Sequence, residues 1–259
     1  MELEMTGKVA FVTASSAGIG RATVEALLAE GVKVAINGRS ASKLLETKQA
    51  LMEKYGKSEV EIVQGDMTNE KVISDTCERL KQKYGLIDIL VANLGSGKPL
   101  VADNLDLHEW QRLMQVNLYS VVWLMHEMRR LDLLRHGNGV VILMASLAAY
   151  DRIGAPPAYA AAKAGIVSLV KYLAPMLAKD GIRINAVSPG NVYYEGGRWQ
   201  ELCEQDPEGI RRYIEREVPL KRFAKTEEIA SAVTFLCSER SSFTTGAVLQ
   251  VDGGQGRGY

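Results

Sequence analysis

The stretch Val9-Ala10-Phe11-Val12-Thr13-Ala14-Ser15-Ser16-Ala17-Gly18-Ile19-Gly20 reads as a buried strand running into a glycine-containing turn. Over residues 21–30 the apolar spacing becomes helical. Val24, Leu27 and Leu28 share one face, with Glu25 and Glu30 off it, and Gly31 stops the helix. Gly18 and Gly20 permit a diphosphate to approach the backbone, and its charge then faces the positive end of the helix dipole. Two glycines also suit an ordinary tight turn, so the assignment depends on the rest of the chain.

Beyond this turn the chain alternates regularly. Strands are expected over 9–13, 32–36, 60–63, 87–92, 140–144, 184–187 and 248–251, and helices over 21–30, 42–55, 69–84, 107–134, 159–179 and 227–237, the last with Thr226 as its N-cap. Seven strands with near-continuous apolar cores, separated by helices, predict an α/β, doubly wound Rossmann fold. Its parallel sheet is covered on both faces, in a single domain over 1–259. The 188–226 stretch breaks the rhythm. No regular helix is expected there before 227, and residues of about 190–225 are the candidate lid.

Composition narrows the function classes. The 259 residues are 47% hydrophobic and 24% charged, and 31 Lys+Arg balance 31 Asp+Glu. A net charge of zero gives no electrostatic footprint for nucleic acid or an anionic membrane surface. Cys77, Cys203 and Cys237 are far apart and not in CxxC spacing, which excludes a disulfide framework and a cysteine zinc site. Residues 1–5 have no basic start or apolar signal core, and the longest apolar run, 140–150, is about half a bilayer span. A cytoplasmic protein is expected. His108, His126 and His136 have no metal-ligand spacing, and His126 is expected to pack inside a helix; no metal is expected.

Arg39 sharpens the cofactor assignment. The second strand ends Ile36-Asn37-Gly38-Arg39-Ser40, and Arg39 lies 19 residues after Gly20. An acidic residue near this spacing binds a ribose 2′-hydroxyl, whereas an arginine accommodates a 2′-phosphate. No carboxylate stands at this strand tip, so NADP(H) is expected over NAD(H), which stays the alternative.

Ser146 follows the fifth strand, and Tyr159-Ala160-Ala161-Ala162-Lys163 opens the next helix. An i,i+4 pair shares a helix face, so phenol and ammonium point into one cleft. The ammonium is expected to lower the phenol from its ordinary pKa of about 10. Such a tyrosine exchanges protons nearer neutral pH, and Ser146 hydrogen-bonds a substrate oxygen as charge develops on it.

Taken in order, these motifs resemble the short-chain dehydrogenase/reductase family, in its branch of about 250 residues and closest to the 3-oxoacyl-carrier-protein reductase-like group. The resemblance spans nearly the whole chain. It adds Asp66 in Gly65-Asp66-Met67, Ala92-Asn93-Leu94-Gly95, Asn117, Ser188-Pro189-Gly190, and the closing Thr245-Gly246-Ala247 with Val251-Asp252-Gly253-Gly254. It implies that Tyr159 is the general acid/base, Ser146 orients the carbonyl, Lys163 binds the nicotinamide ribose and tunes Tyr159, and Asn117 holds a relay water. The cofactor contacts it implies fall on Thr13, Ser15, Ser16, Gly18, Ile19, Gly20, Arg39, Ser40, Asp66, Met67, Asn93, Gly95, Tyr159, Lys163, Pro189, Gly190 and Val192. It also implies an NAD(P)(H)-dependent ketone–alcohol oxidoreductase and a homotetramer built on the helices at 107–134 and 159–179. There Ala158, Ala160, Ala161 and Ala162 would permit close approach, and residues 255–259 would extend toward a neighbour.

Three positions depart from the family pattern. Ala14 replaces a usual glycine and fits only with negative φ. Leu94 replaces a small residue, and Tyr194 stands where a threonine often bonds the carboxamide. The expected substrate wall comprises Ser96, Gly97 and Lys98, then Tyr150 to Arg152, and Tyr193, Tyr194 and Trp199 of the lid, hinged at Gly196-Gly197. Lys98 and Arg152 would favour an anionic substrate. The competing reading is a non-catalytic NAD(P)-binding redox sensor on the same fold. A longer-branch epimerase or dehydratase would need a C-terminal substrate domain that has no counterpart in this length.

Overall fold

A strand whose successive side chains are all apolar must be covered on both faces, because those side chains alternate between the faces. Val9–Val12 (β1), Ile89–Ala92 (β4) and Val140–Met144 (β5) are buried at every position and form the centre of the sheet. The computed structural model describes residues 2–56 and 59–257. Lys33–Gly38 (β2), Val60–Gln64 (β3), Arg183–Pro189 (β6) and Val248–Val251 (β7) complete a seven-stranded parallel sheet in the order β3-β2-β1-β4-β5-β6-β7. All seven expected strands are present, and the doubly wound α/β reading holds. The edges differ from expectation: neither β3 nor β7 is fully buried.

Two apolar layers sandwich the sheet. On one face Val24, Leu27 and Leu28 of Gly18–Ala29 (α1), Leu44 and Leu51 of Ala41–Tyr55 (α2), and Ile229, Val233 and Leu236 near the chain's end meet Val12, Ile36 and Ile142. On the other, Cys77 and Leu80 of Glu70–Tyr84 (α3) pack with Phe11, Leu90 and Leu143. The helix expected over 107–134 is three segments: Leu107–Met114 (α4), a π-helical turn at Gln115–Tyr119, and Ser120–Arg130 (α5). It ends early because Asp132 takes a positive φ of 49° and Leu134 pairs with Ile87 as a β-bridge. Pro157–Leu177 (α6) follows β5, and Gly165 lets it approach Leu118 closely, since a Cβ there would lie 2.9 Å from that side chain. With its 3-10 extension, Pro157–Asp180 is long and apolar enough to cross a membrane. Here its Ile166, Val170 and Ala174 face the sheet.

The 188–226 stretch is not the irregular connection expected. It holds Arg198–Gln205 (α7) and Pro207–Glu217 (α8), whose strongly charged sequences hide a helical period. The last helix, Thr226–Cys237 (α9), is capped by Lys225 rather than Thr226: Glu228 returns its carboxylate to the Lys225 amide at 2.8 Å. His126 is exposed, edge-on to Trp123, rather than packed inside.

The connection from β1 also departs from expectation. Ala14 has a φ of 48°, the left-handed region where its methyl is strained. Two asparagines hold it there. Asn37 accepts from the Ala14 amide at 3.2 Å, and Asn93 donates to the Ala14 carbonyl at 3.1 Å. Replacing Ala14 by Gly removes a strain of about 1–2 kcal/mol but adds backbone entropy to the unfolded chain. Urea unfolding should therefore find A14G equal to the parent or up to about 1 kcal/mol more stable, and A14V clearly less stable.

Candidate active site

A parallel sheet opens a crevice where its strand order reverses, here between β1 and β4 at their C-terminal ends. A cavity of about 540 Å³ occupies that place, running from Arg39 and Asp66 to Ser146, Tyr159 and Trp199. This size suits a small-molecule or cofactor site.

At the diphosphate end, α1 begins at Gly18 with no side-chain cap from Ala17 and no acidic residue in its first turn. Its leading amides are therefore open to an anion. Gly20 is required for packing: a Cβ there would lie 2.5 Å from both the Ala14 carbonyl and Asn93 Nδ2. Arg39 lines the cavity, exposed, and no carboxylate pairs with it among the described residues; its carbonyl accepts from Gln64. Asp66 lines it too, its carboxylate accepting from the Thr68 amide and hydroxyl. These residues fit a dinucleotide that carries an extra phosphate beside Arg39.

The expected cofactor residues divide. Ser16, Ile19, Arg39, Asp66, Met67, Asn93, Gly95, Tyr159, Lys163, Pro189, Gly190 and Val192 line the cavity. Thr13, Ser15, Gly18, Gly20 and Ser40 stand behind it. Thr13 Oγ1 accepts from the Asn93 and Leu94 amides, Ser15 Oγ joins Val12 to Asn37, and Ser40 caps α2. Val192 forms an isolated bridge with Ala224. That bridge uses the Asn191 carbonyl and the Tyr193 amide, so the Val192 amide and carbonyl are left for a ligand. Sequence reasoning missed Asn37, Thr68, Arg112 and Val116, all on the cavity wall. Arg112 was legible as the partner of Glu109 three residues earlier, and it holds that carboxylate at 2.7 Å.

Tyr159 and Lys163 lie one turn apart on α6, with Ser146 facing them from the end of β5. The expected acidification of the phenol is not found. Burial raises Tyr159 above its ordinary range, the Ser146 hydroxyl opposes this by hydrogen bonding, and Tyr194 raises it slightly further. Lys163 Nζ donates instead to the Met144 carbonyl at 2.7 Å and lies 5.8 Å from the Tyr159 ring centroid. Burial lowers Lys163 to about 8. Asn117 is fully buried in the π-helical turn, a break common at functional sites. Its amide group donates to the Leu113 and Ser96 carbonyls and accepts from the Ser96 amide. It braces the loop after β4, where a Cβ on Gly95 would lie 3.0 Å from both Asn117 Oδ1 and Lys163 Nζ.

On the substrate side, Ser96, Gly97, Tyr194 and Trp199 line the cavity, whereas Lys98, Arg152 and Tyr193 do not. Lys98 reaches Glu201 at 2.7 Å, tying the β4 loop to α7, and Arg152 is exposed. The anion-selecting role expected of this pair is therefore unsupported: one cation is neutralised and the other lies off the cavity. The Tyr194 ring lies against Gly18 and Gly197, where a Cβ on either glycine would come within 2.9 Å of it. The departure from threonine thus places an aromatic lid edge over the diphosphate cradle. Leu94 packs against the core beneath the cavity.

The buried ammonium burdens the fold. The unfolded chain holds the Lys163 proton up to its ordinary 10.5, while the folded protein releases it near 8. Stability therefore rises with pH across that window, and the full penalty is present below it. K163M should stabilise the protein at pH 7 by up to about 3 kcal/mol, with a gain that shrinks as pH rises from 8 to 10.5. Denaturant unfolding of both proteins at several pH values measures this, and a pH-independent difference would contradict it.

A family model described as Enoyl-(Acyl carrier protein) reductase matches residues 13–255. The 3-oxoacyl-(acyl-carrier-protein) reductase FabG of Aquifex aeolicus is 32% identical over 254 residues, covering 98% of this chain and 99% of that protein. Levodione reductase of Leifsonia aquatica is 31% identical, covering 98% of this chain and 96% of that protein. The crystal structure of L-sorbose reductase from Gluconobacter frateurii, complexed with NADPH and L-sorbose, superposes with a TM-score of 0.90 at 30% identity, covering 100% of both chains. With its doubly wound sheet, its switch-point cavity and the Ser146, Tyr159 and Lys163 cluster inside it, the chain belongs to the short-chain dehydrogenase/reductase family of oxidoreductases.

Proposed function

We propose that this chain interconverts a ketone and a secondary alcohol with NADP(H), and takes NAD(H) less well. One observation carries the reading: Ser146, Tyr159 and Lys163 line the same cavity as Arg39, which no carboxylate pairs with among the described residues. Bound dinucleotide supplies the hydride. Arg39 holds its 2′-phosphate, the α1 amides its diphosphate, Asp66 its adenine end and the Val192 backbone its carboxamide. Lys163 holds the ribose nearest the reacting carbon.

At the reacting carbon, Ser146 donates to the substrate oxygen and orients it. Tyr159, kept protonated by burial at neutral pH, delivers its proton to that oxygen as negative charge develops. Asn117 acts from behind by holding the Ser96 amide and carbonyl, and it holds the water that relays protons to Lys163. The small-molecule substrate meets no anion-selecting Lys98, which lies off the cavity and pairs with Glu201.

Assembly is proposed on the same basis. Val122 and Trp123 of α5 and Tyr172 and Met176 of α6 are exposed apolar residues on adjacent helices, a surface suited to a second copy in a cytoplasmic homotetramer. Ala158 and Ala162 do not serve it, because both are buried within their own subunit.

Two measurements test the reading. NADPH oxidation is followed across a panel that includes a 3-oxoacyl thioester, a cyclic diketone and a ketohexose. Y159F should lower kcat by about 10²- to 10⁴-fold; dinucleotide binding without turnover on any ketone would favour the sensor instead. R39D should weaken NADPH binding by about 10- to 100-fold, the loss of charge-assisted bonds, and NADH binding far less. An equal loss for both would remove the NADP(H) assignment.

A further inference from the structure

The substrate end of the cavity is walled by rings that continue away from it. Trp199 of α7 lines the cavity and stacks on Tyr213 of α8, with centroids 5.5 Å apart and planes inclined by 21°. Phe223 leans on Trp199 at 5.2 Å. Stacking resists separation but permits sliding, because dispersion has little directionality. Nor do these helices have much core of their own: α7 buries no side chain and α8 only Ile214.

The directional restraint on Tyr213 is polar. Its hydroxyl accepts from Gln255 Nε2 at 2.9 Å and, at the longer distance of 3.4 Å, from Asn191 Nδ2. Gln255 is only 5% exposed and belongs to the segment after β7. Among the described residues its Oε1 is buried without a donor, and the polar contact its side chain makes is the bond to Tyr213. The segment is itself anchored. Gly190 lacks the Cβ that would lie 2.8 Å from Asp252 Cα, and the Asp252 carboxylate accepts from the Gly254 and Gly256 amides. Arg257 then reaches Glu217 at 2.6 Å, and its amide donates to Asp151. Gly258 and Tyr259 lie outside the described residues.

We propose that the C-terminal segment sets the substrate wall of its own active site, with Gln255 a positioning residue that acts through Tyr213 on Trp199. Pinned in this way, the indole holds a fixed place on the wall of the cavity that Ser146 and Tyr159 also line. An aromatic ring there suits a ketone carrying a ring or an alkyl arm. The inference rests on the reading of this cavity end as the substrate end.

The test uses the full chain with W110F and W123F, which leave Trp199 as the reporting indole. Without any ligand, Q255A and Y213F should each raise the acrylamide quenching constant of Trp199, and the double variant should add little to either. An unchanged constant in Q255A overturns the proposal. With ethyl benzoylacetate as probe, Q255A should raise KM by about 3- to 10-fold, the loss of one neutral hydrogen bond, while kcat stays within about twofold. NADPH affinity, titrated by its fluorescence, should not change. A parallel fall in kcat or in NADPH affinity overturns the proposal by revealing general loosening. Removal of residues 255–259 is the second variant and should reproduce Q255A. If the parent enzyme reduces no ketone, the functional reading fails, and the ligand-free quenching still decides the relay.

Discussion

The hydrogen bonds from Asn93 to the Thr13 and Ala14 carbonyls, at 3.2 and 3.1 Å, tie together the two strand ends that the site is built on. They join the end of β4 to the turn after β1, across the line where the sheet reverses its order. Gly20 makes the join possible by letting helix α1 come within the space a methyl would fill. The strained Ala14 is then held by its neighbours rather than by its own preference, as is usual where backbone geometry serves a site. From this join the diphosphate cradle extends one way. The loop through Gly95 and Ser96 extends the other, to Asn117 and Lys163.

The second constraint is electrostatic. Helix α6 carries Tyr159 and Lys163 inward one turn apart, and burial pushes both toward their neutral forms. The phenol is thereby kept as a proton donor, and the ammonium is retained by the Met144 carbonyl at the end of β5. A low-dielectric pocket strengthens every interaction made with a developing oxyanion, and the same desolvation of Lys163 makes the fold less stable. The chemistry and the stability penalty come from one cause.

The substrate side follows a different logic. The cofactor side is assembled from strand ends and a helix start, all braced by the sheet. The opposite wall is assembled from α7 and α8, which bury almost nothing, and it is held by ring stacking, the Lys98–Glu201 pair and the C-terminal segment. Exposed ion pairs contribute little stability, so this wall can vary without disturbing the chemistry. Relatives with one fold and differently named carbonyl substrates are consistent with such a division.

Local pattern alone determined the seven strands, most of the helices and the glycine turn, and it put Tyr159 and Lys163 on one helix face; their reading as a set with Ser146 needed the order of motifs along the whole chain. Periodicity of 2.0 and 3.6 and fixed i,i+4 spacing are properties of short segments, and they survive without knowledge of the fold. Tertiary structure decided the rest. Ala14 takes a positive φ because two distant asparagines demand it. The 107–134 helix is interrupted by a π-helical turn at Asn117, whose side chain bonds Leu113 and, across the site, Ser96. Lys98 gives its charge to Glu201, 103 residues away. The proton affinity of Tyr159 escapes local pattern for the same reason. A neighbouring ammonium is visible in sequence, but burial, and the backbone carbonyl that takes up that ammonium, exist only once the chain has folded.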